Sequence, residues 1–163
     1  MGRVLELYRL DDATIDKIHQ EPLWAEEYIT NNYSSVFGTH HHLGDTVFCT
    51  DKAWDVARYL IQKYLASKGA SFHVLGEEVH DDLFSDEFLP IKSQRVKEIN
   101  ALLQEMRLEE LKAFYDKQKI KEKCYRGDWV GELNDYIIGH VATIKEAYQT
   151  AAASGDGLVV TTR

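Results

Sequence analysis

Residues 130–162 have the sequence VGELNDYIIGHVATIKEAYQTAAASGDGLVVTT. Apolar residues recur here at steps of three and four, which is the spacing of one face of a helix. They are Val130, Leu133, Ile137, Val141, Ile144, Tyr148 and Ala151. Gly155-Asp156-Gly157 is typical of a helix end and turn, and the β-branched run after Leu158 favours a strand. The stretch predicts a long carboxyl-terminal helix over 130–155, followed by a closing strand.

The amino-terminal part of the chain predicts one strand and two helices. Residues 3–8 alternate imperfectly between apolar and polar side chains, which indicates a strand. Asp11 or Asp12 can cap a helix that stops before Pro22, and Pro22 fits the first turn of the next helix. The polar stretch 31–44 favours an exposed irregular loop.

The middle of the chain predicts more helices and two short extended segments. Thr50 is placed to cap a helix that ends at Gly69. Residues 72–75 are short and apolar and indicate a strand, and residues 88–91 favour an edge strand or a bend. A strong helix starts at Ser93, and its apolar rhythm continues beyond it as a second or bent helix.

These elements predict an α+β fold with strands at both ends and in the middle of the chain. We expect a single domain over residues 1–163, with a small mixed or antiparallel sheet packed by several helices. A chain of 163 residues can bury a core without disulfide or metal support. Cys49 and Cys124 are too few for a disulfide framework, so we expect packed free thiols.

The charge balance is acidic, with 27 Asp and Glu against 19 Lys and Arg and a net charge of −8. Such a surface repels phosphate backbones, so nucleic-acid binding is not expected. The same charge would attract a basic protein partner, although it is also explained by solubility alone. No apolar run approaches the ~18–20 residues that span a bilayer, and the amino terminus lacks the pattern of a secretory signal. We therefore expect a cytoplasmic protein that is not bound to membranes.

Several short motifs, in this order and spacing, resemble the YfbM-like family. They are Asp51-Lys52-Ala53-Trp54-Asp55, Val74-Leu75-Gly76-Glu77, residues 93–99, residues 125–129 and residues 148–158. Because that family is catalogued as a domain of unknown function, the resemblance implies a small α+β fold and supplies no catalytic residue and no cofactor. Members usually carry histidines just after the position of Trp54, where this chain has Asp55 and Arg58. A polar site built on such a histidine would be lost or altered here.

Two polar runs suggest chemistry, and each has a simpler interpretation. His40, His41 and His42 are good metal ligands, but neighbours in an extended loop point in different directions and rarely face one ion. The acidic run that starts at Glu77 and Glu78 could hold a carboxylate pair that divides acid and base roles. Acids are also common at helix starts and on exposed faces. We favour a solvated loop without metal and an acidic face.

Five residues are candidates for a small-ligand pocket: Asp51, Trp54, Tyr125, Asp128 and Trp129. Aromatic rings beside carboxylates can floor a pocket or anchor a partner. The alternative, which we favour, is that Trp54 and Trp129 are core anchors on helix first turns, with Asp51 and Asp128 serving the caps.

Two function classes remain, besides a housekeeping domain with no tight partner. The first is a non-enzymatic module that binds a basic protein such as a toxin domain, as an immunity protein does. Its predicted contact residues are Tyr33, Phe37, His40, Glu77, Glu78, Asp81 and Asp82. The second is a small enzyme or small-ligand-binding protein that uses the pocket near Trp54, Tyr125 and Trp129.

Overall fold

A computed structural model describes residues 3–33, 46–75 and 88–162 of the chain. The strands are β1 (Leu5–Leu10), β2 (Val47–Thr50), β3 (Leu89–Ile91) and β4 (Gly157–Thr162). The helices are α1 (Asp12–Gln20), α2 (Pro22–Tyr33), α3 (Trp54–Ser67), α4 (Ser93–Glu105), α5 (Leu108–Phe114), α6 (Lys117–Lys123) and α7 (Asp135–Ser154). The predicted α+β class, with a small sheet, several helices and a carboxyl-terminal strand, is confirmed.

The four described strands form one antiparallel sheet in the order β2-β1-β4-β3. Strand β4 closes the chain as predicted, and it lies inside the sheet because β1 and β3 pair on either side of it. Pro90 lies in the edge strand β3, where its missing N–H leaves no gap in an inner ladder.

Both faces of the sheet are buried. Side chains alternate between the two faces along each strand, and each face packs against helices. Leu5, Leu7 and Val160 belong to the larger core, together with residues of α3, α4 and α7. Tyr8 and Val159 belong to the smaller core under α1 and α2. Near-continuous apolar strands such as β4 follow from this double coverage.

Several predicted helix boundaries are confirmed by side-chain caps. Asp11 caps α1 by accepting from the Thr14 amide, at 2.8 Å. Asp12 accepts from the Ser93 amide, at 2.8 Å, and so joins α1 to the start of α4. Gly155 ends α7 in the left-handed conformation, with φ of 72°, which glycine adopts without strain.

Three boundary predictions are wrong. Thr50 ends β2 and is not the cap of α3, whose cap position is Ala53, without a side-chain bond. Helix α7 begins after Asn134, which accepts from the Ile137 amide, so Val130 and Leu133 precede the helix. Residues 31–33 extend α2, and the rest of the predicted loop lies outside the described residues.

Residues 72–75, predicted as a strand, form a single β-bridge at His73 and are not one of the four strands of the sheet. The Gln62 amide on α3 binds their backbone instead: it donates to the Phe72 carbonyl at 3.2 Å and accepts from the Val74 amide at 3.0 Å. A single polar side chain thus satisfies backbone groups that a strand ladder would otherwise pair. Cys49 and Cys124 are free and buried, as expected.

No helix in the described ranges is both long and apolar enough to cross a membrane.

Candidate functional site

The tight turn from Tyr125 to Trp129 begins with an aromatic ring that packs on the core and ends with one that faces solvent. The Gly127 amide donates to the Cys124 carbonyl and the Trp129 amide to the Arg126 carbonyl, each at 3.0 Å. A Cβ atom at Gly127 would lie 2.0 Å from the Ile120 carbonyl oxygen, so only glycine fits there. Arg126 has φ of 56°, a conformation that costs a non-glycine residue energy. The turn is therefore a packed, specified structure.

The inward side of the turn packs on the start of α3. Trp54 has no exposed surface, and its ring stacks on that of Tyr125 with centroids 6.1 Å apart. The Asp55 carboxylate, also buried, accepts from the Tyr125 amide at 2.7 Å and from Arg58 Nε at 2.6 Å. A buried carboxylate needs such partners, since an unpaired one is strongly destabilising. We call Trp54, Asp55, Arg58 and Tyr125 the buried junction.

Two titratable groups near the buried junction are held in their neutral forms. Burial, followed by the nearby Arg58 charge, lowers the pKa of His73 to about 4, and its Nδ1 accepts from the Leu75 amide at 3.1 Å. Burial, with Asp55 close by, raises the pKa of the Cys124 thiol to about 12. A thiol that stays protonated is a poor nucleophile, so the junction has the chemistry of a structural support.

The outward side of the turn forms a second aromatic group. Trp129 is 58 % exposed and Tyr136 is 39 % exposed, and their rings meet edge to face with centroids 6.2 Å apart. The Tyr136 hydroxyl donates to Asp51 Oδ2 at 3.0 Å. Burial, then this bond to a carboxylate, raises the pKa of Tyr136 to about 12. We call Asp51, Trp129, Tyr136 and the exposed Asp128 the aromatic surface.

Buried nitrogen atoms without a hydrogen-bond partner occur close to both groups. They are Nε1 of Trp54 and Nε2 of His140. The His140 ring contacts that of Tyr136 at 4.5 Å, and burial lowers the pKa of His140 against the opposing effect of Asp51. Buried polar atoms in proteins nearly always bind protein, water or ligand, so water or a small ligand can bond to these two nitrogens.

The structure separates residues that the sequence placed in one set. Trp54 is the predicted core anchor in the first turn of α3. The same prediction for Trp129 is wrong, because its side chain is mostly exposed and lies before α7. The predicted capping role of Asp51 is wrong, because the cap position of α3 is Ala53. The Asp51 carbonyl accepts from the Trp54 amide at 2.9 Å, and its carboxylate binds Tyr136. Asp128 caps no helix of the described chain; it lies in the turn.

The predicted partner-binding residues lie mainly outside the described residues. Phe37, His40, Glu77, Glu78, Asp81 and Asp82 all do so, and so do His41 and His42. Tyr33 is half-buried at the end of α2, with its ring 5.2 Å from that of Tyr8, and burial raises its pKa. The role of this set in binding stays a prediction.

Tyr136 and His140 were not singled out by the sequence. Both lie on α7 one turn apart, a spacing that brings side chains together on a helix face. Both residues lie outside the apolar stripe of the predicted helix, which is a sequence signal for a separate role. The bond between Tyr136 and Asp51 depends on tertiary contact and has no such signal. In the parts of the chain that are described, no three His, Cys, Asp or Glu side chains are arranged to hold a metal ion.

Comparison with known proteins places the fold in a family. No curated protein matches the sequence. A solved structure described as a protein of unknown function, YfbM from Escherichia coli, superposes with a TM-score of 0.58 over 98% of this chain and 99% of that one, at 12% sequence identity. That likeness shows the fold alone. The family described as Domain of unknown function (DUF1877) matches residues 1–161, and the chain belongs to this family.

Proposed function

We propose that this protein is a non-enzymatic module that binds a basic protein, and that the aromatic surface is a centre of that binding. The observation that carries the proposal is the exposure of Trp129, held against Tyr136 on a rigid turn. The two rings together form an exposed aromatic patch, and tryptophan and tyrosine are enriched among the residues that dominate binding energy at protein interfaces.

The charges around Trp129 favour a cationic partner. Asp128 precedes Trp129 in the turn, and Asp51, just after β2, accepts from the Tyr136 hydroxyl. Asp135 precedes Tyr136 at the start of α7. The whole chain carries a net charge of −8. Carboxylates beside an aromatic ring attract Arg and Lys side chains, which also bind to ring faces. Complementary charge mainly speeds association and selects the partner.

Within this class, we propose an immunity protein that neutralises a toxin. A small acidic protein can block a toxin whose active site is lined by cations, because charge and shape complementarity exclude the substrate. The buried junction supports this role by fixing the turn that presents Trp129. Pre-organised contact residues lose little conformational entropy on binding.

Capture of a partner from a lysate of the source cells tests the proposal. The immobilised protein should retain one basic protein at low salt and release it as salt is raised, since exposed charges are screened. The immobilised Trp129→Ala variant should not retain the partner. Leu23→Ala is the matched control, because Leu23 is 91 % exposed on α2, an element away from the aromatic surface. Equal capture by wild type and Trp129→Ala, or no capture at any salt concentration, would reject the proposal.

A second candidate is a small-ligand-binding protein or small enzyme, and the unpartnered nitrogens of Trp54 and His140 favour it. A ligand that bonded to His140 Nε2 would lie beside Tyr136, whose ring is 4.5 Å from that of His140. Thermal-shift screening with a panel of small metabolites tests this alternative. A compound that raises the melting temperature of wild type but not of His140→Ala would support it, and a panel without such a compound would count against it.

A further inference from the structure

The last residue of β2, Thr50, turns its hydroxyl toward the larger core. The residue is 1 % exposed, and its Oγ1 has no hydrogen-bond partner in the part of the chain that the structure describes. Thr50 lies directly opposite Leu5 in the sheet, and Leu5 belongs to the larger core with residues of α3 and α7. Because opposed residues share a face, the Thr50 side chain lies on the side that these two helices cover.

His140 lies on the helix that covers this end of β2. Helix α7 packs on β2, and the bond from the Tyr136 hydroxyl to Asp51 holds the first turn of α7 at the residue after Thr50. The His140 ring is 4.5 Å from that of Tyr136, three residues after the buried Ile137. Its Nε2 is buried and, like Thr50 Oγ1, unpartnered within the described ranges. Two such atoms thus lie on facing elements.

The chemistry of these two atoms selects a neutral hydroxyl group. A buried polar atom without a hydrogen bond destabilises the folded state. A threonine hydroxyl both donates and accepts, and one nitrogen of a neutral imidazole can accept. Burial lowers the pKa of His140, so its ring is neutral at pH 7. The Asp51 carboxylate, whose charge acts on His140, would repel an anion from this place.

We propose that Thr50 Oγ1 and His140 Nε2 both bond to one hydroxyl group, that of an internal water or of a small neutral alcohol. Internal waters in proteins typically bond to about three buried groups that lack other partners. The bound molecule would join the end of β2 to α7 beside the bond between Asp51 and Tyr136, and so support the aromatic surface from inside. This inference does not depend on a basic partner.

A double-mutant cycle tests whether the two side chains bind the same molecule. Thr50→Val and His140→Phe each remove one polar atom and retain most of the side-chain shape. Urea unfolding should show a lower free energy of unfolding for each variant, and the double variant should lose less than the sum of the two single losses. His140→Leu replaces His140→Phe if the latter does not fold.

Thr161→Val is the matched control for Thr50→Val. Thr161 Oγ1 is also buried without a partner among the described residues, but Thr161 lies two residues from Val159 on the smaller-core face of β4. Its effect should add to that of His140→Phe. Removal of a buried atom that bonds to nothing leaves stability equal or higher. Unchanged or higher stability for Thr50→Val and His140→Phe, or full additivity of their losses, would therefore overturn the proposal.

Two measurements on the purified full chain distinguish the sources of the hydroxyl group. A long-lived water should give nuclear Overhauser effects to the Thr50 methyl group that disappear in His140→Phe. A bound alcohol should instead appear as a mass excess in native mass spectrometry, lost in the same variant. Either signal, with coupling between Thr50 and His140, supports the site. Coupling with neither signal would mean that the two side chains interact directly, and would overturn it.

Discussion

The buried junction and the aromatic surface use the same residue types for opposite purposes. Each contains a tryptophan, a tyrosine and an aspartate, and the turn at Tyr125–Trp129 contributes to both. Trp54 has no exposed surface, whereas Trp129 is 58 % exposed. The Asp55 carboxylate is buried against Arg58, whereas Asp51 lies at the surface with Tyr136. Side-chain type therefore does not decide the role; whether the side chain faces the core or the solvent does.

The two tryptophans should differ most in what they contribute to stability. Trp54→Ala should lower the free energy of unfolding by about 3–5 kcal/mol, because it leaves a cavity in the core. Trp129→Ala should change it by ~0.5 kcal/mol or less, because its side chain already faces water. Urea unfolding followed by circular dichroism measures both. Similar losses of unfolding free energy for the two variants would contradict the difference in burial between Trp54 and Trp129.

Asp55 and Asp128 give a second comparison between the buried junction and the aromatic surface. Asp55→Ala removes the partner of a half-buried guanidinium and of the Tyr125 amide, so a loss of about 3–5 kcal/mol is expected. Asp128→Ala, in the same turn but exposed, should change the free energy of unfolding by less than ~0.5 kcal/mol. A small loss for Asp55→Ala would mean that the buried junction is not what holds the turn.

The pH dependence of stability includes a contribution from His73, next to the buried junction. His73 has a native pKa of about 4 against a reference value of 6.5, so between these values the unfolded state binds the extra proton. Its contribution is complete above about pH 6.5 and falls as pH decreases toward 4, by roughly 1–3 kcal/mol. His73→Asn keeps a hydrogen-bond acceptor but does not titrate.

Denaturation of both proteins at pH 7 and pH 5 measures this effect. Wild type should lose more stability than His73→Asn over that interval. Equal losses would show that His73 is accessible to protons in the native state, and that Arg58 and Asp55, the charged groups beside it, do not control its titration.

A smaller effect than those of Trp54→Ala and Asp55→Ala is expected at the surface bond between Tyr136 and Asp51. Tyr136→Phe removes the hydroxyl that donates at 3.0 Å and should cost about 0.5–1.5 kcal/mol of unfolding free energy. Its ring contact with Trp129 would remain, so capture of the partner should persist. Loss of capture in this variant, without loss of stability, would place the recognition in the Asp51–Tyr136 pair and not in Trp129.

Local sequence patterns predicted most of the fold. The apolar rhythm of α3, α4 and α7, the Asp11 cap and the Gly155 end all depend on residues within a few positions of one another. Residues 72–75 form only a β-bridge at His73, and Gln62 on α3 binds the Phe72 carbonyl and the Val74 amide, contacts that no local pattern predicts. Helix α6, with Ile120 as its single buried residue, has too short an apolar pattern to predict.

The candidate site was predicted less well, for a physical reason. Asp51, Trp54, Tyr125 and Trp129 stood out by composition, but burial depends on which elements pack together. No local pattern indicates that Trp129 faces water or that Tyr136 binds Asp51, 85 positions away. Pairs so distant in sequence meet only through the packing of α7 on β2 and α3.

The most direct test measures affinity and stability on the same variant. Binding of the captured partner to wild type and Trp129→Ala is determined by calorimetry, and the unfolding free energies of both proteins are measured in parallel. We expect Trp129→Ala to bind at least ~30-fold more weakly, as hot-spot residues do, with stability unchanged. Full affinity in a folded Trp129→Ala protein, or a loss of affinity that follows a loss of stability, would contradict a recognition role for the exposed tryptophan.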